Sequence, residues 1–543
     1  MTRPSHPPIR GLARSDARAC AAYAEAAGVH RIVPQLIARP LDADDVADLV
    51  RWAITSGAAL TPRGAGSSMA GAAVGSGTIV DLRDLAPRRL EIDPDRRTAR
   101  VSANITLAEL AQAAAVHGLH FPPDPSSSAW ATVGGVIGTN AAGPRSVRDG
   151  AVRSWVEALT FVDGTARQAT LARGQQTPRC YLALHELLRF HRQRVRSAFP
   201  ATAKNSSGYA LDHAGGDLLH LLIGAEGTLG IITEAVLRLA PLPIATRALR
   251  LDLADIDQLP EVVAVLLPHR PAAVELLDAS YLALGAPQLS PQQRAELAPL
   301  AAVLLVTLEA DSEDELQTQL ESIRHALAEA AVALHEARTA EAAAALWSIR
   351  HAASPILASL VGETRSLQVI EDGCVPLPEL ARYIHVVRSA CSAAGVPYAI
   401  FGHAGDGHLH VNLLPTITEP DWLPRVAQIY REVSSAVRAL GGTLSGEHGD
   451  GRLRAPLLRA QYPVEIIELF EFARQTFDPH RILNPGVILG GHDADPFASL
   501  KVGEHAAALP ADIAHGLRAI EQTRGWGTDR LQLADGPGAA AMP

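Results

Sequence analysis

Apolar positions along this chain follow two periods, and the switches between them outline its elements. Val46 to Thr55 has helical spacing. It follows Leu41-Asp42-Ala43-Asp44-Asp45, whose acids suit the positive end of a helix dipole. Ala58 to Leu60, Thr78 to Leu82 and Thr98 to Ser102 predict strands. Thr106 opens a helix with Leu107, Leu110 and Ala114 on one face, ending near Gly118. Trp155 to Val162 with Asp163-Gly164 predicts a strand entering a hairpin turn, and a further strand spans Ala235 to Leu239. Pro241 to Pro243 marks a boundary. Beyond it, strands at Ala245–Leu253, Ala272–Leu277, Ala302–Glu309 and Leu367–Glu371 alternate with helices at Glu313–Ala333, Ala340–Val361, Leu377–Ala394 and Trp422–Leu440. This pattern predicts an α+β sheet layered with helices. Met1 to Val33 reads as a helical lead-in. His492 onward is poorly patterned, with one short helix at Pro510–Arg524 and a frayed tail from Gly536 to Pro543.

Glycine-rich loops interrupt this pattern, each next to a strand. Thr61-Pro62-Arg63-Gly64-Ala65-Gly66-Ser67-Ser68-Met69-Ala70-Gly71 exposes successive backbone amides of the kind that cradle phosphate, although it matches neither dinucleotide nor P-loop fingerprints. Pro122-Pro123-Asp124-Pro125 leads into Thr132-Val133-Gly134-Gly135-Val136-Ile137-Gly138-Thr139-Asn140-Ala141-Ala142-Gly143. Such small residues let backbone lie flat against a large planar ligand. Gly224-Ala225-Glu226-Gly227-Thr228-Leu229-Gly230-Ile231-Ile232 has the same character. Together the loops point to one extended cofactor.

Two later segments carry the remaining candidate chemistry. They are Gly402-His403-Ala404-Gly405-Asp406-Gly407-His408-Leu409-His410-Val411-Asn412 and Ser445-Gly446-Glu447-His448-Gly449-Asp450-Gly451. In an extended strand His408, His410 and Asn412 share one face. Two imidazoles and a carboxylate suit a divalent metal such as zinc, and a further imidazole beside them is placed to take a proton. Adjacent residues of an extended chain point to opposite sides, so Glu447 and His448 need not share a partner.

Composition narrows the class. A chain of 543 residues exceeds one hydrophobic core and implies two or three domains. A net charge of −10 argues against nucleic acid as partner. No apolar run approaches the roughly 20 residues that span a bilayer, and the first thirty residues lack a signal-peptide core. Cys20, Cys180, Cys374 and Cys391 are scattered, which suggests neither a disulfide framework nor an iron–sulfur cluster and favours a reducing cytoplasm. Only Lys204 and Lys501 are lysine among 48 Lys and Arg residues, so Lys204 stands out as a position needing a compact ammonium.

The loops from about Ile32 to Leu242 resemble the flavin-binding domain of the vanillyl-alcohol oxidase and p-cresol methylhydroxylase family. The histidine segments and the closing Phe477-Asp478-Pro479-His480-Arg481-Ile482-Leu483-Asn484-Pro485-Gly486 resemble its C-terminal partner domain. The combination is similar to the branch of D-lactate dehydrogenase, the glycolate oxidase flavoprotein subunit and D-2-hydroxyglutarate dehydrogenase. The resemblance implies a two-subdomain FAD-binding domain over 34–242 after a lead-in at 1–33. It further implies a ferredoxin-like α+β cap over 243–470, a return to the FAD domain at 471–491, and a tail at 492–543.

FAD is expected to be non-covalent, since no attachment residue stands out. Its expected contacts are Arg63, Gly64, Ala65, Gly66, Ser67, Ser68, Pro123, Asp124, Gly134, Gly135, Gly138, Thr139, Asn140, Gly143, Glu226, Gly227, Gly230, Ile231, Ile232 and Asn484. By resemblance His403, His410 and Glu447 hold a divalent metal, zinc being expected, and His448 is the catalytic base. His408 stands where relatives carry asparagine, which leaves the ligand count open. Arg350, Lys204 and Asn412 are the expected substrate contacts. Ile370 replaces a lysine that binds a second carboxylate in one relative, with Arg452 and Arg454 as candidate replacements.

The implied activity is oxidation of a small D-2-hydroxy acid, with hydride passing to flavin N5. Electrons would leave to a quinone, a cytochrome, an electron-transfer flavoprotein or a separate iron–sulfur subunit. The expected setting is cytoplasmic, with peripheral membrane contact and a homodimer as further options. The alternatives are an oxygen-using oxidase and a subunit of a glycolate oxidase-type complex. A nicotinamide enzyme is disfavoured because no dinucleotide fingerprint opens a βαβ unit.

Overall fold

The computed structural model describes residues 6–328, 332–491 and 494–536. Two sheets build the N-terminal domain. Leu12–Arg14, Leu36–Arg39, Thr78–Asp81 and Leu60–Arg63 form the first, in that order. Its last three strands are parallel and its first is antiparallel. Helix Ala43–Ser56 makes the crossover. Asp42 caps it by accepting from the amides of Asp44 and Asp45, and left-handed Gly57 closes it. The second sheet is antiparallel and orders Leu90–Asp93, Thr98–Ser102, Ile231–Arg238, Val156–Val162 and Gln168–Ala172.

The second domain has one antiparallel sheet of six strands. Its order is Ala333–Ala337, Ala245–Leu253, Ala302–Ala310, Ala273–Asp278, Tyr398–His403 and His410–Leu413. Helices Glu313–Leu327, Leu380–Ala394 and Trp422–Ala439 share one core with it. Helix Ala340–Ser359 joins a smaller core.

Several expectations change. The helix from Glu313 stops at Leu327, and Ala333–Ala337 is an edge strand. Leu367–Glu371 is not a strand, and only Leu367 pairs, with Leu413. Among the described residues the lead-in is helical only over Ala17–Ala22, and its strand extends the first sheet. Position 470 falls inside helix Val464–Phe477, which already packs in the N-terminal core with Leu458 and Tyr462. Phe477 stacks on Tyr181 at 4.5 Å and so anchors the returning chain, an arrangement that adds about 0.5–1.5 kcal/mol beyond burial.

The C-terminal segment is also built into the molecule. Helix Ala511–Thr523 matches the expected Pro510–Arg524 element, and Arg530–Asp535 forms a second helix. Ile513, Leu517 and Leu531 bury against Ala19, Tyr23, Ile37 and Ile79. The expected boundary at His492 and, of the expected frayed tail from Gly536 to Pro543, residues 537–543 lie outside the described residues.

Candidate active site

A cavity of about 850 Å³ runs between the two domains. One half of its wall is backbone. Ala27 and Gly28 donate to the carbonyls of Gly66 and Ser68 and pin the first glycine-rich loop. Arg63 lines the cavity, but its guanidinium turns to the carbonyls of Tyr23, Glu25 and Ala73. Gly66 has φ +77°, and a Cβ there would meet Arg63 Nη2 at 2.5 Å. The positive φ together with the close approach of Arg63 favours glycine at this position, whatever ligand lies beyond.

The second loop is not flat backbone but a helix, Val133–Thr139, capped by Thr132. Gly138 lines the cavity, and a Cβ on it would meet nothing within 4 Å. Gly64, Ala65, Ser67, Ser68, Asp124, Gly134, Gly135, Thr139, Gly143, Glu226, Gly227, Gly230 and Ile232 also line the wall. Pro123, Asn140, Ile231 and Asn484 do not. Asn140 bonds Ser206 and the amide of Arg153, while Asn484 holds the carbonyls of Ala72 and Glu226. They support the cradle from behind. Ser68 Oγ, Trp130 Nε1 and Asn104 Oδ1 are buried at this wall with no partner among the described residues. Unmet donors and acceptors beside an open glycine face fit a large polar-edged ligand such as FAD.

The other half of the wall is charged side chains. His403 ends strand Tyr398–His403, and His410 opens strand His410–Leu413. Glu275 binds His403 Nδ1 from the neighbouring strand, and the Glu371 carbonyl accepts from His410 Nδ1 at 3.1 Å. Both Nε2 atoms are thereby aimed at Glu447. The separations are 3.3 Å between the two Nε2 atoms and 3.4 Å from each to Glu447 Oε1. Ligand bonds of about 2.0–2.1 Å in a tetrahedron give edges of about 3.3–3.4 Å, so three corners are already in place.

His408 does not join them on the wall. Its Nε2 lies 2.9 Å from Asp372, and its Nδ1 faces the Lys204 ammonium at 3.5 Å. Burial, reinforced by Lys204, pushes its pKa down to about 4. Lys204 is likewise absent from the wall. It is buried and paired with Glu447 Oε2 at 2.9 Å and Asp406 at 3.2 Å, which corrects its expected place against substrate. Burial opposes the Glu447 carboxylate, yet Lys204 and His403 hold it well below the usual range.

His448 and Glu447 reach the same point, because the glycines flanking them relax the strand rule. His448 Nε2 lies 3.5 Å from Glu447 Oε1, and its ring stacks on His410 at 5.3 Å. Glu371 Oε2 holds its Nδ1 at 2.5 Å. Burial opposes its charge, but Glu371 and Asp372 raise its pKa to about 10. Arg350 and Asn412 stand on the wall. Arg350 Nε engages Glu275 at 3.1 Å, and its guanidinium lies 4.6 Å from the Phe401 ring centre. Asn412 donates to Ser366 Oγ, and its Oδ1 is buried without a partner. Arg452 bonds the carbonyls of Val74 and Pro485, and Arg454 bonds Glu371 and the Gly449 carbonyl, so neither replaces the missing lysine.

Sequence reasoning missed Glu275, Glu371 and Asp372. Asp372 accepts from the amides of Glu447 and His448, from Ser445 and from His408. A lone acid, Glu275, in the apolar run of Ala272–Leu277, and Glu371-Asp372-Gly373 closing another, were the available signals. Lys501, Val502, Glu521, Arg524, Trp526 and Gly527 of the C-terminal segment also line the cavity.

The two-domain fold and its cradle define a flavoprotein of the p-cresol methylhydroxylase type. Residues 34–172 match the family described as FAD binding domain, and residues 242–488 match FAD linked oxidases, C-terminal domain. The glycolate oxidase subunit GlcD of Bacillus subtilis is 30% identical over 463 residues, covering 84% of this chain and 89% of its own. The D-lactate dehydrogenase of Archaeoglobus fulgidus is 30% identical over 84% of this chain and 91% of its own. The D-2-hydroxyglutarate dehydrogenase of Pseudomonas putida is 31% identical over 88% of this chain, which spans half of that relative's length. A 4-ethylphenol oxidase from Gulosibacter chungangensis shares the fold, with a TM-score of 0.65 at 15% identity over 88% of this chain and 94% of its own. The chain belongs to the FAD-linked oxidoreductase family of D-lactate, glycolate and D-2-hydroxyglutarate dehydrogenases.

Proposed function

We propose that this chain oxidises a small D-2-hydroxy acid to the 2-oxo acid and passes the electrons to a non-nicotinamide acceptor, with non-covalent FAD as its cofactor. We further propose a divalent ion, zinc by its donor set, at His403, His410 and Glu447. The observation that carries this reading is the set of three donor atoms 3.3–3.4 Å apart with both Nδ1 atoms tied back. Bound FAD supplies a hydride acceptor, and the ion supplies Lewis acidity toward the substrate hydroxyl and carboxylate.

The protein's side chains do the rest. His448 Nε2 takes the hydroxyl proton, while Glu371 fixes the ring through Nδ1. A cation bound by Glu447 works against the raised pKa of His448 and favours the neutral imidazole that a base requires. Arg350 Nε bonds Glu275 and Nη1 reaches the Tyr281 hydroxyl, which leaves Nη2 to orient the substrate carboxylate. Asn412 offers its open Oδ1 to a donor on the substrate side.

The test is an acceptor-dye assay with D-lactate, L-lactate, glycolate and D-2-hydroxyglutarate. Turnover of at least one D-acid or glycolate, with L-lactate inert, is expected. Failure of every 2-hydroxy acid would overturn the reading.

A further inference from the structure

Arg530 is only 2% exposed, yet its Nε, Nη1 and Nη2 all lack a hydrogen-bond acceptor among the described residues. Its guanidinium lies 5.5 Å from the centre of the Trp526 ring. A buried cation without an anion is unfavourable, and the other charges here make it more so. Burial first, and then the charge of Arg63, depress its pKa to about 9, with Arg83 adding to the effect. The carboxylates of the surrounding elements are committed elsewhere. Asp529 pairs with Arg39, Glu25 with Arg31, and Asp81 with Tyr23. The guanidinium of Arg63 is used on main-chain carbonyls, as is that of Arg83, which bonds Gly527 and Thr528. Positive charge therefore gathers here, and among the described residues no uncommitted carboxylate bonds the Arg530 guanidinium.

The neighbours of Arg530 show where the anion comes from. Trp526, Arg63 and Arg83 all stand on the cavity wall, and Arg63 leads directly into the Gly64–Ser68 loop. That loop carries the buried, unpartnered Ser68 hydroxyl on the same wall. Glycine-rich amides and arginines together form a phosphate site. We infer that Arg530, which stands behind its wall-lining neighbours and not on the wall itself, supplies the positive charge that meets the phosphate charge of the cofactor. It arrives on helix Arg530–Asp535, beyond residue 488 where the matched C-terminal domain ends. The C-terminal segment thus completes a site that the two family domains leave open. Asp529 and the burial of Leu531 hold the helix in place: Asp529 caps it by accepting from the Leu531 amide and also pairs with Arg39.

The inference rests on the cavity being the FAD site, and riboflavin separates the two ideas because it has the ring without the phosphates. The full-length chain is stripped of flavin and titrated with FAD and with riboflavin, following flavin fluorescence. In Arg530→Gln the ratio of FAD to riboflavin affinity should fall about tenfold or more, with riboflavin binding unchanged. Arg530→Lys keeps the charge and serves should the Gln chain not fold. Its ratio should fall about threefold, because a point charge replaces the planar fork. An unchanged ratio in either variant, or equal weakening of both flavins, overturns the inference. A wild-type chain that binds neither flavin would instead remove the FAD reading on which it depends.

Discussion

The glycine cradle and the histidine cluster share one cavity but use their polar atoms in opposite ways. In the cradle, Ser68 Oγ, Trp130 Nε1 and Asn104 Oδ1 are left without partners among the described residues, and Gly138 opens on empty space. In the cluster, His403, His408, His410, Glu447 and His448 each have a polar partner, through Glu275, Glu371, Asp372 and Lys204. A surface that waits for a large ligand is built from backbone and leaves donors free. A surface that must hold a small ion and move one proton fixes each ring beforehand. Glu226 links the two halves. Its carboxylate accepts from the Gly451 amide beside the histidine motif, its amide donates to the Gly138 carbonyl, and burial lifts its pKa to about 8.

If the halves are separate devices, variants in one should spare the ligand of the other. The largest effect is expected for His448→Asn. Flavin reduction in anaerobic single turnovers should fall by roughly 10²-fold or more, with FAD and metal contents unchanged. Loss of metal in that variant would make His448 a ligand and move the base elsewhere.

Glu371→Gln comes next. It removes the carboxylate that holds His448 Nδ1, and reduction should fall about tenfold or more. Burial already disfavours the imidazolium, and Glu371 is the strongest group opposing that effect. Removing it lowers the pKa of His448. The rising limb of the pH–rate profile, where the base loses its proton, should therefore move to lower pH by roughly one to three units. A limb that stays in place or moves up would show that Glu371 does not set the titration.

Gly138→Val carries the smallest expected effect and belongs to the cradle alone. A branched side chain would enter the open face, and FAD affinity should fall by about tenfold, the scale of a modest steric clash. Metal content should not change. Equal loss of metal would mean that the two halves are coupled, with Glu226 as the obvious route.

The contrast also explains what was legible in the sequence. Glycine-rich runs beside strands, and histidines spaced around a turn, mark a site by residue type alone. His403, His410, Glu447 and His448 were named that way and do converge. Glu275, Glu371 and Asp372 lie 128, 77 and 36 residues from the histidines they bind, and no local pattern reports such contacts. Lys204 was rightly singled out but misplaced, because rarity signals a constraint and not its direction. The strand at Leu367–Glu371 failed because an apolar run was packed into the core without a ladder. The C-terminal segment was undervalued since its few apolar residues bury against a different part of the chain, around Ala19 and Tyr23.

The most direct test of the account is to measure metal content and flavin absorbance on one sample before and after prolonged chelation, together with anaerobic flavin reduction by the best D-2-hydroxy acid. About one divalent ion for each flavin is expected, because the two groups of metal-capable side chains among the described residues, one with His403, His410 and Glu447 and one with Glu371, His410 and His448, share His410. Chelation should remove the ion, leave FAD bound and abolish rapid reduction, and adding the ion back should restore it. Full reduction rates in protein shown to contain no metal would contradict the account.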